Sequence, residues 1–229
     1  MEHPQPGVTS TVENYVKAIY MLRQRRPDAA MAPLGKLAEA LEVTPGTVTT
    51  MVKGLADSGH VEYASRRGVR LTDDGERLAL HVIRRHRLVE LFLVEVCGYD
   101  WSEVHDDAEI LEHAISDKLL SRIDEMLGRP KVDPHGHPIP QASGLIERRD
   151  TTPLPDAPLG PAEIARVEDD SPEFLRFAQE RGVTLGAHVD IIEHDPIGGL
   201  VQIRLPDGRV IPIGFAAARK VHVAIPVHT

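Results

Sequence analysis

Hydrophobic positions recur at helical spacing in three segments near the start of the chain. These segments are residues 11–25, 34–41 and 45–58. Each has an apolar residue every three or four positions, as one face of an α-helix does. Thr11 and Thr44 stand where they can cap the first and third helices, and Pro45 suits a first helical turn. Residues 60–72 alternate around an Arg-Arg-Gly tip, which predicts two short strands.

Two short helices joined by a tight turn and followed by a basic hairpin are the layout of a winged helix-turn-helix. The second helix would expose small polar residues to the major groove, while nearby basic residues hold phosphates. The groove-facing candidates are Pro45, Gly46, Thr47, Thr49 and Thr50, and the phosphate-binding candidates are Lys36, Lys53, Arg66, Arg67 and Arg70. A helical subdomain with a solvated arginine-rich turn would give the same pattern, so both interpretations stay open.

The middle of the chain predicts two long amphipathic helices. The first spans residues 74–96 and is closed by Gly98, and the second spans about 102–127 with a candidate break near Ser116. Residues 129–161 are rich in proline and glycine, which predicts a linker with little regular structure.

The last part of the chain changes to a two-residue period. A short helix is predicted around residues 172–181, and four alternating runs follow: "HVDIIEH", "LVQIRLP", "RVIPIGF" and "KVHVAIP". Short strands of this kind suggest a small barrel. The predicted fold class is therefore mainly α with a small β part: a winged helix-turn-helix, a helical domain and a C-terminal small β-barrel.

Charge changes this picture because it is unevenly distributed. The 229 residues carry a net charge of −9, but residues 1–72 hold nine basic and seven acidic residues, whereas the remainder holds 17 and 28. A mildly basic first unit joined to an acidic body is compatible with DNA binding by the first part alone. The single cysteine, Cys97, excludes an internal disulfide and fits a reducing cytosol, and we expect it to pack as a small hydrophobe.

Nothing in the sequence predicts a membrane or secretory role. No apolar run approaches the roughly 20 residues that span a bilayer, and the N-terminus lacks a basic stretch followed by an apolar one. We therefore expect a cytoplasmic protein without a membrane partner.

The stretch "AEILEHAIS", residues 108–116, carries three metal-binding side chains at helical spacing. Glu109, Glu112 and His113 stand at i, i+3 and i+4, so a helix would place them on one face. Burying an uncompensated carboxylate costs several kcal/mol, and a divalent cation would offset that cost. A solvated face is the alternative interpretation.

A second set of such side chains lies upstream. His86 and Glu90 stand at i and i+4 on the preceding predicted helix, and His105 lies between the two sets. Carboxylate and imidazole donors without thiolate favour Mn²⁺ or Fe²⁺, while Zn²⁺, Co²⁺, Ni²⁺ or Cd²⁺ could substitute in vitro. A solvated ion pair explains either set alone. A carboxylate-bridged di-metal enzyme or a metal-buffering protein would use the same ligand types.

The order helix, helix-turn-helix, wing and then "RRHRLVELFLVEVCGYDWSEVHDDAEILEHAISD" resembles the metal-dependent repressors typified by the diphtheria toxin repressor and the manganese transport regulator. The piece "PHGHPIP" resembles the proline motif of that family. The resemblance covers nearly the whole chain. It implies a winged helix-turn-helix domain at 1–73, a helical metal-binding and dimerisation domain at 74–140, a proline-rich linker at 141–160, and an SH3-like domain at 161–229 related to the small ferrous-transport accessory fold.

The resemblance also implies a role for each candidate metal ligand. Asn14, Glu109, Glu112 and His113 match the primary site; His86, Glu90 and His105 match the ancillary site; and Asp170 and Glu173 fall near two further ancillary donors. Position 109 is a cysteine in the iron-responsive branch and a glutamate in the manganese-responsive branch, which favours manganese. Lys17 replaces a glutamate of the manganese branch, which favours separated sites. His135 and His137 are interpreted as solvated or turn-forming.

The resemblance implies that the chain is not an enzyme but a transcriptional regulator, with no small organic substrate. It would bind double-stranded operator DNA as a homodimer when Mn²⁺ or Fe²⁺ is bound, and repress genes of metal uptake. The metal would tie the first helix to the dimerisation domain and so fix the angle between the DNA-binding domain and the dimerisation domain. The segment "TTPLPDAPLGP" would either bind the SH3-like domain as a proline-rich ligand or simply pack against it.

Overall fold

The computed structural model describes residues 8–25 and 29–226. The chain divides into two compact units: one contains the residues up to 85 together with 140–145, and the other contains 86–139 together with those from 146 onward. Helices occupy most of the first part and strands most of the last, so the predicted fold class is confirmed. No helix of the described residues is long and apolar enough to cross a membrane.

Three helices and a hairpin form most of the first unit. They are α1 (Ser10–Gln24), α2 (Leu34–Ala40), α3 (Pro45–Asp57), β1 (Val61–Ala64) and β2 (Gly68–Leu71). The predicted cap of α3 is confirmed, because the Thr44 hydroxyl accepts the Thr47 backbone N–H at 3.2 Å. The predicted cap of α1 is wrong. That helix begins one residue before Thr11, and Thr9 accepts the Val12 N–H at 3.4 Å.

The hairpin of the first unit is fixed to the segment before α2. β1 and β2 are antiparallel, with Ala64 opposite Gly68 across the tip. Ala32 and Val69 exchange two backbone hydrogen bonds, at 2.8 and 3.0 Å. A Cβ on Gly68 would lie 2.4 Å from the Ala32 carbonyl oxygen, so only glycine allows this approach. The predicted wing is therefore a braced hairpin.

Three further helices follow: α4 (Asp73–Glu95), α5 (Val104–Leu111) and α6 (Asp117–Met126). The predicted second long helix is thus two helices. The break falls near Ser116, as predicted, and this residue caps α6 by accepting the Leu119 N–H at 3.3 Å. Because Ser116 is extended, α5 cannot continue into α6; α5 itself already ends at Leu111. The expectation that residues 108–116 form one helical stretch is therefore wrong beyond that point.

Six antiparallel strands form the sheet of the second unit. They are β3 (Thr152–Pro153), β4 (Gly160–Val167), β5 (His188–Asp195), β6 (Leu200–Arg204), β7 (Val210–Gly214) and β8 (Val221–Ala224), in the order β3-β8-β4-β5-β6-β7. Helices α7 (Pro172–Glu180) and α8 (Phe215–Ala218) accompany them. The four predicted strands are β5 to β8. The inner strand β4 was not predicted, because its opening Gly-Pro resembles a linker.

Two expectations about irregular segments need correction. The proline-rich region is not a free linker: β3 pairs with β8, and Leu154 is fully buried in the core of the sheet. The segment "TTPLPDAPLGP" thus supplies part of the domain itself. Cys97 does not pack as a small hydrophobe. It follows the end of α4, where Gly98 adopts a positive φ of 76°, and it is exposed.

Candidate metal centre and DNA-facing surface

Helix α4 places an imidazole and a buried carboxylate one turn apart. His86 Nε2 lies 3.0 Å from Glu90 Oε1, as the i, i+4 spacing predicts. Glu90 is only 3% exposed. Burial by itself would raise the pKa of Glu90, but the charge of His86 and the proximity of His105 outweigh it and hold that pKa well below its usual value. Glu90 is therefore an ionised carboxylate inside the second unit.

Glu112 joins the two predicted ligand sets. It is completely buried and directly follows α5. Its Oε2 lies 2.7 Å from His86 Nδ1, and its Oε1 lies 3.4 Å from His113 Nε2. The primary and ancillary sets therefore contact each other through Glu112 and His86, and the expectation of separated metal sites stays a prediction. The contact forms because the turn after Leu111 carries the Glu112 side chain back to α4.

His105 and Glu109, both on α5, complete this arrangement. One donor atom from each of His86, His105 and Glu109 lies within 4.8 Å of the other two. Glu109 Oε1 is 3.7 Å from His86 Nδ1 and 3.8 Å from His105 Nε2. The neighbouring Glu90 carboxylate raises the pKa of His105. We call the six residues of the second unit the helical cluster: His86, Glu90, His105, Glu109, Glu112 and His113.

The chemistry of the helical cluster fits a divalent cation. Within the described residues, Nδ1 of His105 is buried and has no hydrogen-bond partner. It lies 3.6 Å from Glu90 Oε1, too far for a hydrogen bond. An orphaned buried polar atom costs about 1–3 kcal/mol unless a partner satisfies it. An imidazole nitrogen beside buried carboxylates, with no thiolate in the set, matches a hard or borderline ion that would displace its proton.

The remaining predicted ligands differ in their positions. Asp170 Oδ2 lies 3.8 Å from His105 Nδ1, at the edge of the helical cluster. Glu173 does not approach it: its side chain is 82% exposed and lies 3.7 Å from Arg176. Asn14 is on α1 in the first unit and is partly buried. Its assignment as a ligand stays a prediction.

A second group of metal-binding side chains lies between α6 and β3. We call Asp133, His135 and His137 the loop cluster, because one donor atom from each lies within 4.8 Å of the others. The expected solvation is wrong for His135, which is 2% exposed, whereas the expected turn is present. The signal in the sequence is the spacing Asp-x-His-x-His, with Gly136 between the two histidines.

The exposed end of α3 presents small side chains, as predicted. Pro45, Gly46, Thr47 and Thr50 are exposed, and Thr49 is partly buried. The Thr49 and Thr50 hydroxyls donate to the carbonyls of Pro45 and Gly46, at 2.8 and 3.2 Å. Their protons are therefore used within the helix, which leaves oxygen lone pairs and methyl groups for base edges.

The predicted phosphate-binding residues fall into two groups. Arg66, Arg67 and Lys53 are exposed, and no ion pair with another described residue engages them. Arg70 and Lys36 are each paired at 2.6 Å, with Glu62 and Glu39 respectively. Of the predicted phosphate-binding residues, those at the tip of the wing and on the side of α3 are thus the ones without an acidic partner among the described residues.

A winged helix-turn-helix and a helical domain with a buried acid–imidazole cluster together define a metal-responsive class of DNA-binding protein. Three family models cover the chain: "Iron dependent repressor, N-terminal DNA binding domain" at residues 7–69, "Iron dependent repressor, metal binding and dimerisation domain" at 72–141, and "FeoA domain" at 152–225. The chain belongs to the iron-dependent repressor family. The resemblance proposed from the sequence is confirmed.

Several curated relatives and solved structures are similar over most of their length. The iron-dependent repressor IdeR of Mycobacterium leprae is 34% identical over 216 residues, 86% of this chain and 89% of the relative. The diphtheria toxin repressor of Corynebacterium diphtheriae is 30% identical over 203 residues, 82% of this chain and 87% of the relative. A manganese-dependent transcriptional repressor in complex with manganese matches with a TM-score of 0.84 and 36% identity, covering 93% of this chain and 98% of that chain. The structure of ScaR with bound Zn²⁺ matches with a TM-score of 0.76 and 31% identity, over 93% and 98%.

Proposed function

We propose that the chain is a metal-dependent transcriptional repressor that binds operator DNA as a homodimer when Mn²⁺ or Fe²⁺ is bound. Its targets would be genes of metal uptake, and it would act on chromosomal DNA in the cytoplasm. The observation that carries this proposal is the helical cluster. Glu90 and Glu112 are almost completely buried, and buried carboxylates need a compensating positive charge.

Among the possible ions, Mn²⁺ is the one we favour as the activator of DNA binding. The helical cluster offers carboxylate oxygens and imidazole nitrogens, which suit Mn²⁺ and Fe²⁺ better than soft ions. Position 109 is a glutamate here, and the resemblance associates glutamate at this position with the manganese-responsive branch and cysteine with the iron-responsive branch. A relative with a TM-score of 0.84 is described as a manganese-dependent repressor in complex with manganese.

The helices of the second unit support the proposed dimer. Ile110 on α5 is 70% exposed, and Leu119 and Met126 on α6 are 52% and 60% exposed. Apolar side chains left exposed on these helices would lose contact with water if they were buried in a dimer interface. The family model over residues 72–141 describes a metal-binding and dimerisation domain. A two-fold dimer would present two copies of α3 to half-sites about one DNA turn, roughly 34 Å, apart.

A bound ion would add positive charge to the helical cluster, which holds three carboxylates and three imidazoles. His86 then has the central role among the residues of this chain, because it contacts Glu90 from one ring nitrogen and Glu112 from the other. It thereby connects α4 to the turn after α5. Asn14 remains a predicted further ligand from the resemblance. Metal and DNA would each raise the affinity for the other by the same factor.

The test is DNA binding as a function of metal. Duplexes selected from a random pool by the Mn²⁺-loaded protein provide the probe, and fluorescence anisotropy measures affinity across a Mn²⁺ titration with a chelator control. Sedimentation of the same samples measures the oligomeric state. We expect Mn²⁺ to tighten binding by about 5- to 150-fold, the usual range of allosteric coupling, with two chains on each duplex.

Variants of the helical cluster test whether it is the site through which metal activates DNA binding. Glu109→Ala and His113→Ala should each weaken the metal response and leave the far-UV circular dichroism spectrum unchanged. DNA affinity that ignores chelation would overturn the proposal. Metal binding without any selected duplex would instead favour a metal-buffering protein or a di-metal enzyme.

A further inference from the structure

The loop that carries the loop cluster is shaped by its own aspartate. Asp133 Oδ1 accepts the backbone N–H groups of His135 and His137, each at 2.9 Å. This bends the chain and brings the His137 ring back, with its Nδ1 3.4 Å from Asp133 Oδ2. Two imidazoles and a carboxylate from five consecutive residues therefore converge, although none of them belongs to the helical cluster.

The hydrogen bonding of His135 defines which of its nitrogens is available. Nε2 lies 2.9 Å from the Trp101 carbonyl oxygen. A carbonyl can only accept, so Nε2 carries the proton and donates it. In the neutral ring Nδ1 then keeps its lone pair, and it lies 3.9 Å from Glu90 Oε2. Metal-binding histidines characteristically donate their second ring N–H to a carbonyl or carboxylate, as His135 does here.

The loop is held rigidly against the sheet of its own unit. Val167 on β4 donates its backbone N–H to the His135 carbonyl at 2.8 Å. Gly136 has a positive φ of 88°, and a Cβ there would lie 2.2 Å from the Ala165 carbonyl oxygen. The positions of the two histidines are thus fixed by backbone contacts. A site that is already in place loses little conformational entropy when it binds.

The charge around the loop cluster is balanced by a cation. Arg87 Nε lies 3.5 Å from Asp133 Oδ2. Burial would raise the pKa of Asp133, but the charges of His137 and Arg87 outweigh it and lower that pKa below its usual value. Asp133 is therefore an ionised donor with an arginine neighbour, and an arriving ion competes with Arg87 for one of its oxygens.

We propose that Asp133, His135 and His137 form a separate binding site for a divalent first-row transition ion, with Glu90 as the neighbouring carboxylate. Two imidazoles and one carboxylate suit Mn²⁺, Fe²⁺, Co²⁺, Ni²⁺ and Zn²⁺. Access is from the side of His137, which is 21% exposed while the other two residues are buried. An ion here would fasten the loop beside α4. Because Glu90 Oε1 contacts His86 while its Oε2 lies near His135, occupancy of this site would also be felt by the helical cluster.

The experiment compares metal stoichiometry in the full chain. Protein stripped by a chelator and desalted is titrated with Zn²⁺ by calorimetry, and bound metal is counted by mass spectrometry. His137→Gln should lose one equivalent of Zn²⁺ per chain. His188→Gln, on the exposed start of β5, is the matched control and should bind as the parent does. When both proteins are loaded with Co²⁺, the visible absorption spectrum of His137→Gln should lack one component that the parent shows.

Folding and function are tested separately. His135 is buried, so His137→Gln is the decisive variant, and unfolding in the presence of chelator should be the same as for the parent. Equal stoichiometry and equal Co²⁺ spectra in parent and His137→Gln would overturn the proposal and leave a purely structural turn. This outcome is distinguishable from failure of the proposed repressor function, because an equivalent of Zn²⁺ lost only in His137→Gln supports the loop site whether or not metal activates DNA binding.

Discussion

The candidate DNA-facing residues of the first unit and the candidate metal-facing residues of the second differ in how exposed their charges are. In the first unit, Arg66, Arg67 and Lys53 extend into solvent, where a charge costs almost nothing. In the second unit, Glu90 and Glu112 are buried, where an unpaired charge costs several kcal/mol. The DNA-facing residues can therefore change without disturbing the fold. Changes at Glu90 or Glu112 should cost more stability, because both side chains are buried and contact His86.

The largest effect is expected from Glu112→Gln. The substitution keeps the size of the side chain but replaces the fully buried carboxyl group that contacts His86. A neutral amide is a weaker ligand for a hard cation, so the Mn²⁺ concentration for half-maximal DNA binding should rise by about 100-fold, the upper range for damage to a metal site. Anisotropy with the selected duplex measures it.

The matched control for Glu112→Gln is a glutamate in the same region without a buried charge. Glu103 precedes α5, is exposed and makes no side-chain capping bond. Glu103→Gln should leave the Mn²⁺ response unchanged. An unchanged response in Glu112→Gln as well would show that the buried cluster is not the regulatory site, and the contrast between the units would lose its functional meaning.

A smaller effect is expected at the wing. The double variant Arg66→Ala with Arg67→Ala removes two exposed cations, which should weaken DNA binding on the order of tenfold and reduce the salt slope by about 0.9 for each lost phosphate contact. Affinity measured at several salt concentrations gives the slope, and Mn²⁺ binding without DNA should not change. Arg209→Ala, on a turn of the sheet domain, is the control. If the double variant kept the same dependence of affinity on salt concentration as the parent, Arg66 and Arg67 would not be phosphate contacts.

The first unit could be predicted well because its structure is local. The helix expected at 45–58 is observed at Pro45–Asp57, with Thr44 as its cap. Periodicity and capping act within a few residues, so they can be read from the sequence. The cap of α1 was predicted at Thr11 but lies two residues earlier, at Thr9. The wing arginines, Arg66 and Arg67, are exposed because they lie at the tip of the hairpin between β1 and β2.

The second unit was less predictable because its site depends on contacts between distant segments. The sequence predicted which acids and histidines could bind metal, but not that Glu112 would lie beyond the end of α5 and contact His86. The loop cluster was missed because proline and glycine were interpreted as a linker. In fact Gly136 allows close packing against β4. Long-range backbone contacts of this kind leave no periodic signal in the sequence.

The smallest effects are expected at two helix caps, one in each unit. Thr44 caps α3 and Ser116 caps α6, each through its hydroxyl. Thr44→Ala and Ser116→Ala should each lower the free energy of unfolding by about 1 kcal/mol, as loss of a helix cap does, measured by chemical denaturation in chelator.

Their functional consequences should differ although their energetic cost is similar. Thr44→Ala loosens the start of the DNA-facing helix, so it should weaken DNA binding at saturating Mn²⁺ and leave Mn²⁺ affinity without DNA unchanged. Ser116→Ala loosens the turn that carries Glu112 and His113, so it should weaken Mn²⁺ binding several-fold in calorimetry without DNA. If both variants changed Mn²⁺ affinity equally, the turn after α5 would not be what positions the buried carboxylate, and the separation of roles between the units would have to be abandoned.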